Sequence, residues 1–476
     1  DPDYVWVYND RGLLYESQEK YPQALGDYDR ALELDPQYMW AHANKGYALS
    51  KLGRTQEALA AYDKALEIDP NYAWAYYQRG LLNSDTGNHA AALEDFTRSL
   101  EIEKQDAEVY RERSRVYLSL ADEYREQGAG EKMLEAYSKA LQDLEAAIES
   151  DPENLTTYWS QGITHLTLDA FDRAVASFDR ALALLTGEQN ADLLFDLHES
   201  TAEALMQWGQ VLKKPEKLQQ AFEAFGMAAE KTDEPGQRAS CYSQQAEILL
   251  DLDRYAEALS AIQKVRRYAP DNAWSYILQA KAHLLDSNHQ EAQKAFEKVL
   301  QVDQSEGLYN SWCWVGLGII SQETDSAEKA EEYFRSALAS EGAAGEEEYL
   351  DRASIFEFFR RYGRAEVDLI TAVELAPESA GAHNALAWLY VEQLPDPQNL
   401  AKAVDLAQRA VELEAHGPRR ADYLDTLGWA YYRLRRFPEA VEHLDQALAL
   451  MPYVLEFRHH LEQAQQMHKK GEKQAG

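Results

Sequence analysis

Few residues in this 476-residue chain carry the types and spacings from which catalytic chemistry is built. The histidines are scattered, and no HExxH pair or Cys/His cluster sets up a metal site. His459 and His460 are adjacent, which turns them toward different sides of a helix and makes them poor ligands for one ion. No GxxxxGK[ST] phosphate loop occurs; "GAGEKM" at 128–133 has glycines and a lysine, but it falls where a helical hairpin needs its turn. There is no Gly-x-Ser-x-Gly elbow, and among 82 acidic residues the proximity of two carboxylates says nothing about acid–base catalysis. These residues predict a protein that is not an enzyme and holds no cofactor and no metal.

Spacing of another kind is present. Trp40 and Trp74 lie 34 residues apart, as do Gly46 and Gly80. Gly12, Ala24, Ala31 and Pro36 recur as Gly46, Ala58, Ala65 and Pro70. Inside each period, apolar and small residues fall at helical spacing in two runs of roughly a dozen residues, parted by a turn such as "KLGR" and ended by Asp-Pro. The pattern predicts two antiparallel helices per period. Small residues at mid-helix let the axes approach, and Tyr28, Tyr62 or Phe96 fills the space between neighbours. One hairpin cannot bury both its faces, so stability must come from stacking.

The units resemble tetratricopeptide repeats, whose pattern runs W…LG…Y…A…F…A…P over 34 residues. In the second unit His42, Lys45, Gly46, Leu49, Ala58, Tyr62, Ala65 and Pro70 stand at the matching places, and in the last full unit Leu427, Gly428, Tyr431, Ala440, Leu444, Ala447 and Pro452 do. Between them units open near Ala73, Ala107, Leu155, Phe195, Ala239, Ala273, Ser311, Glu346, Ala380 and Ala421, about twelve in all, followed by a terminal helix around 454–470. The resemblance implies an all-α, right-handed superhelical α-solenoid of helix hairpins. Its expected divisions are 1–186, 187–304, 305–452 and a capping helix with tail at 453–476. On the terminal helix Val454, Phe457, Leu461 and Ala464 form the apolar stripe, leaving Arg458, Glu462 and the lysines for water.

Two units break the period. The fourth is 14 residues too long. Seven extra residues in each helix would come close to two full turns, keep the stripe aligned and carry the tip about 10 Å outward. The sixth carries a comparable insertion around Lys213 to Leu218. Both read either as tolerated tips or as a docking ridge. Gly187–Asn190, "SEGLYNS" and "SEGAAGEEEYL" are candidate joints, and "EQLPDPQNL" reads as a longer hairpin turn.

In the family the first helix of each unit lines a concave groove. On this resemblance the second, fifth, ninth and twelfth positions of that helix face the groove: Trp6, Trp40, Trp74, Trp274 and Trp312 take the second, Trp159 the fifth, Trp388 and Trp429 the ninth, with Tyr47 and Tyr77 beside them. Large aromatics suit interaction hot spots. A Trp at the second position can equally lean on the preceding unit and seal the stack, so both readings stand for Trp6, Trp40 and Trp74. Asn9, Leu13, Asn44, Trp74 and Gln78 occupy the places where chaperone-tail-binding members clamp a carboxylate with Lys, Asn and Arg; only Asn44 agrees, which argues against that clamp. Asn9, Asn44 and Gln78 remain able to hydrogen-bond an extended peptide.

A formal charge of −35 and a pI near 4.7 oppose sequence-independent binding to nucleic acid or an anionic membrane and favour a basic or neutral partner. Two cysteines, Cys241 and Cys313, fall in different units and point to a reducing, cytoplasmic compartment. No apolar run reaches the roughly 18 residues of a membrane span, and no leader is expected at the start. The first residue, Asp1, suggests an excerpt of a longer chain. The expected function is a non-catalytic protein- or peptide-binding scaffold, serving as the ligand-sensing region of a larger bacterial signalling protein such as a STAND-type NTPase. The alternatives are a substrate-recruiting array for an enzyme or secretion machine, and a free-standing assembly adaptor.

Overall fold

The structure, a computed structural model, describes residues 4–127, 129–185, 191–303, 309–324, 326–338, 344–414 and 419–475. Among the described residues 83% are helical and none lies in a strand, so the period of 34 is one of helix pairs. The described residues form twenty-five helices in sequence, twelve successive pairs and one more after them. They divide into two compact units, residues 1–161 and 162–476.

The first unit pairs α1 (Val5–Glu16) with α2 (Tyr21–Leu34), α3 (Met39–Lys51) with α4 (Thr55–Ile68), α5 (Ala73–Asp85) with α6 (His89–Ile102), and α7 (Ala107–Glu126) with α8 (Gly130–Ser150). The Asp-Pro ends explain themselves. A residue before proline is pushed out of the helical region, and Asp35 (φ −139°, ψ 98°) and Asp69 (φ −129°, ψ 99°) are extended. Each then accepts at 2.9 Å, through its carboxylate, the N–H two residues on, in Gln37 and Asn71.

Within the first three hairpins one close contact recurs at a spacing of sixteen. A Cβ placed on Gly12 would lie 2.4 Å from the Tyr28 ring, on Gly46 2.8 Å from Tyr62, and on Gly80 2.8 Å from Phe96. The aromatic edge therefore rests on bare backbone. Beside it runs an ion pair of the same spacing: the Arg11 Nε donates to Asp27 at 2.7 Å, and Arg79 Nη2 to Asp95 at 2.6 Å. In the fourth pair the partner of Arg113 is Asp143, at 2.8 Å and thirty residues on. α7 and α8 have 20 and 21 residues where α5 and α6 have 13 and 14, so seven residues entered each helix and the pair survived the insertion.

The division between the units falls within α9 (Leu155–Thr167). The second unit continues with α10 (Phe171–Leu184), α11 (Ala191–Val211), α12 (Pro215–Lys231), α13 (Pro235–Asp251), α14 (Tyr255–Tyr268), α15 (Ala273–Leu285), α16 (His289–Val302), α17 (Asn310–Glu323) and α18 (Ala327–Ser336). It ends with α19 (Glu346–Phe358), α20 (Tyr362–Leu375), α21 (Ala380–Glu392), α22 (Pro397–Leu413), α23 (Arg419–Arg433), α24 (Phe437–Leu450) and α25 (Leu455–Ala475). In the sixth pair the expected insertion around Lys213 to Leu218 is not a loop. Lys213 sits in a short turn at φ 50°, Leu218 is already inside α12, and the added length lies in helices of 21 and 17 residues. Extra helical turns satisfy their own backbone, which an equally long loop would leave to solvent. Of the candidate joints, Gly187–Asn190, residues 305–308 and residues 340–343 lie outside the described residues. "EQLPDPQNL" is a hairpin turn: residues 393–396 join α21 to α22, and Asp396 caps α22 by accepting from Gln398 and Asn399.

Early hairpin tips in this unit touch late helices. The Leu455 N–H donates to the Asp169 carbonyl at 3.0 Å, Arg458 pairs with Asp172 at 2.8 Å, Lys213 pairs with Glu392, and Arg360 reaches Asp253 at 2.7 Å and the Leu250 carbonyl at 3.1 Å. Asp169, Lys213, Asp253 and Arg360 all have positive φ, so the left-handed turn that reverses each hairpin also aims its contact. Arg458 is thus an ion-pair partner, a correction to its expected place in water. The stripe on α25 is buried, with Val454, Phe457, Leu461 and Ala464 all at most 6% exposed, the last two against Ala440 and Leu444.

Three variants test these assignments. Gly46→Ala should destabilise by about 1–3 kcal/mol, since a Cβ overpacks the Tyr62 edge. Gly26→Ala, where a Cβ meets nothing within 4 Å, should stabilise by about 0.5–1 kcal/mol in the same denaturant titration. Deleting residues 453–476 should bare Ala440 and Leu444 and drive association in analytical ultracentrifugation. A monomer with unchanged melting temperature would remove the capping role from α25.

Candidate functional site

The first unit presents a row of aromatic pairs. Tyr4, Tyr38 and Tyr72 are the residues immediately before α1, α3 and α5, and each packs on the Trp two residues later, with ring centroids 5.8, 5.3 and 5.9 Å apart. Trp6 remains 54% exposed and Trp40 47%. Trp74 is half-buried and also touches Tyr47, at 6.2 Å. Leu13 is exposed, whereas Asn9 and Asn44 are buried and paired, the Asn44 amide donating to the Asn9 carbonyl oxygen at 2.9 Å. Tyr47, Tyr77 and Gln78 are half-buried; Lys51 sits over the Tyr47 ring, and Tyr77 packs on Phe96. Trp159, at the end of this unit, is half-buried with no hydrogen bond to its buried indole nitrogen. The tyrosines were missed by sequence reasoning, although they recur 34 residues apart, always two before the Trp.

In the second unit the predicted tryptophans fall into two groups. Trp274 of α15 and Trp312 of α17 meet edge to face at 5.3 Å, and both pack on Phe358 of α19. The Trp274 indole donates to Glu247 at 2.7 Å, and the buried Lys281 ammonium lies 3.8 Å above Phe358, its pKa lowered by burial. Trp388 of α21 and Trp429 of α23 border a cavity of about 650 Å³, together with the α11–α12 turn and α25. Trp429 is 8% exposed, stacked between His460 at 3.9 Å and Tyr432 at 4.4 Å.

The cavity is charged. Glu392 receives the Trp429 indole N–H at 2.7 Å, the Lys213 ammonium, and Arg433 at 3.4 Å. Burial pushes its pKa up, but these donors outweigh burial and hold it below the usual range. Burial likewise opposes charge on His460, yet Asp425, 3.0 Å from its Nδ1, raises its pKa. Glu456 has only the more distant His460 Nε2, 4.0 Å away, among the described ion pairs. Burial first, then Asp425, pushes it up to about 7, with His460 opposing. Asp422 is pushed up to about 6 by burial, then by Asp425 and Asp169. His459 is lowered by burial and by His460, and its ring nitrogen contacts Gln463 at 2.5 Å. Lys213, Glu392, Arg433, Glu456 and His460 were not found from the sequence, because Lys213 and Glu392 stand 179 residues apart and no local pattern joins them.

Cys241 and Cys313 are both free and buried, and burial pushes each thiol up to about 12. Among the described residues no group of three or more His, Cys, Asp or Glu is arranged to hold a metal ion, and no helix is long and apolar enough to cross a membrane.

Glu456 and Asp422 have raised folded-state pKa values, so between about pH 4.5 and 7 the folded chain holds more protons than the unfolded chain. Stability should therefore fall as pH rises through 7. Glu456→Gln should remove on the order of 2–3 kcal/mol of that dependence. Urea titrations of both proteins at pH 5, 6.5 and 8 check this; parallel curves would contradict the assignment.

Family profiles described as tetratricopeptide repeat match residues 5–38, 27–60, 75–106, 134–188, 243–307 and 421–453, and one described as TPR repeat matches 46–87. A DnaJ protein P58IPK homolog of Arabidopsis thaliana is 24% identical over 198 residues, 40% of this chain and 39% of that protein, so the match covers about two fifths of that relative's length. The crystal structure of yeast Tom70 is similar over 98% of this chain and 96% of its own, at 19% identity and a TM-score of 0.39. Naa15/Naa10 bound to HypK-THB is similar over 98% and 80%, at 14% identity and a TM-score of 0.42. With profile matches in the early, middle and last hairpins, and the same glycine-on-aromatic contact in the first, second, third, fifth and ninth pairs, the chain belongs to the tetratricopeptide repeat family.

Proposed function

We propose that the chain is a non-catalytic scaffold that binds a protein or an extended peptide along the first helices of its hairpins. The observation that carries the reading is the exposure of Trp6 and Trp40, 54% and 47%, in register on successive hairpins. A tryptophan that seals a stack would be covered by its neighbour. Each of these two packs on a tyrosine, keeps about half its surface open, and offers wide contact area at small entropic cost. Trp74, Leu13, Tyr47, Tyr77 and Gln78 extend the row, while Asn9 and Asn44 brace it through their mutual hydrogen bond. Trp159, Trp388 and the more enclosed Trp274, Trp312 and Trp429 enter the proposal as continuations of the groove-facing positions. Two free, buried thiols support a reducing, cytoplasmic setting. In its finer form this reading makes the array the ligand-sensing region of a larger bacterial signalling protein.

Peptides selected on the full chain from a random displayed library provide the ligand for the test. Trp6→Ala and Trp40→Ala should each weaken the selected peptides by about 2 kcal/mol, roughly 30-fold, with the melting temperature unchanged. Full affinity in both variants would exclude this face; a loss of about 3 kcal/mol in stability would make the residues packing elements instead.

A further inference from the structure

The cavity of the second unit leaves one carboxylate unused. Glu392 is satisfied by Trp429, Lys213 and Arg433, and Asp425 by His460. Glu456 lines the same cavity, makes no hydrogen bond among the described residues, and has as its nearest cation the His460 Nε2, 4.0 Å away. That imidazole is already held by Asp425 at 3.0 Å. Around Glu456 stand Asp422 and Asp425 from α23 and Glu392 from α21, while the cations of the lining, Lys213 and Arg433, are drawn onto Glu392. His459, on the same helix, is held toward its neutral form by burial. Burial first, and then the negative charge of Asp425, Glu392 and Asp422, raises the Glu456 pKa, and the distant His460 offsets this only in part. The half-buried Trp388 ring lines the same space.

We propose that this cavity receives the guanidinium of an arginine in an extended segment of a partner protein, with the Glu456 carboxylate as its acceptor and the Trp388 ring as its wall. The volume of about 650 Å³ is that of an ordinary ligand pocket and holds a long side chain with adjoining backbone. A guanidinium suits the site better than an ammonium, because its plane pairs bidentately with a carboxylate and stacks on an indole. A net charge of −35 favours approach of a basic partner. Arrival of the cation displaces the proton from Glu456, so binding strengthens from pH 6 to pH 8. The site lies in a different compact unit from Trp6 and Trp40 and does not depend on them.

The test is calorimetric titration of the full chain with the peptide acetyl-Ala-Arg-Ala-amide, its norleucine counterpart, and spermidine. The arginine peptide should bind at least tenfold more tightly than the norleucine peptide, and more tightly at pH 8 than at pH 6. Glu456→Gln should lower that affinity at least tenfold and abolish its pH dependence. Trp388→Leu, which leaves every charge in place, should weaken binding with the pH dependence intact. Equal binding of the norleucine peptide or an unaffected Glu456→Gln protein would overturn the proposal. Tighter binding of spermidine than of the arginine peptide would assign the cavity to a free polyamine instead. A failure here leaves the displayed-peptide test at Trp6 and Trp40 untouched, since residues and ligands differ.

Discussion

Everything in this fold depends on how closely two helices of a hairpin can approach. At Gly12, Gly46 and Gly80 an aromatic ring lies where a Cβ would have to be, within 2.4 to 2.8 Å. Gly162 against Phe178 and Gly318 against Phe334 repeat the contact in the second unit. Close approach fixes the hairpin, which in turn fixes the face that each pair offers to the next. The ion pair alongside, Arg11 with Asp27 and again Arg352 with Asp368, places a buried carboxylate at the same joint and orients the second helix about its axis. Dispersion sets the distance and the charge pair sets the rotation.

The two units use this joint for different ends. In residues 1–161 the described contacts run between neighbouring hairpins, and the aromatic row stays open. In residues 162–476 the hairpin tips turn inward on distant helices through Asp169, Lys213 and Asp253. The Lys213–Glu392 contact borders the cavity, where groups from α11, α21, α23 and α25 come together. The electrostatics follow from enclosure: a carboxylate that would be an ordinary surface acid on an open array becomes, at Glu456, a group with a pKa of about 7.

The fold was legible because it is written many times. Glycine, alanine and Asp-Pro recur at one spacing, and even the fourth pair could be read as seven residues added twice, which α7 and α8 bear out. In the sixth pair the insertion was placed around Lys213 to Leu218, whereas the added length lies in α11 and α12 themselves, because Pro215 in the first turn of a helix does not break it. For the site the same logic holds in reverse. Trp6 and Trp40 were visible as repeating residues, but the tyrosines that support them went unread. The cluster around Glu392 was invisible, since its residues come from the α11–α12 turn, α21, α23 and α25 and none recurs with the period. Periodicity reveals what repeats and hides what does not.

The fourth hairpin has a consequence for how such a chain can change length. Seven residues rotate an α-helix by some 700°, about 20° short of two turns, so a heptad added to both members leaves their inward faces almost in register. Arg113 still finds Asp143 across the enlarged pair. A heptad on each member is thus the change that keeps both ends of a hairpin matched, whereas α11 and α12, with 21 and 17 residues, grew unequally and put their extra length into a tip that reaches Glu392 through Lys213. A protein of this kind can raise a tower from its wall without disturbing the storeys above and below, and an uneven one can lean across to a distant storey.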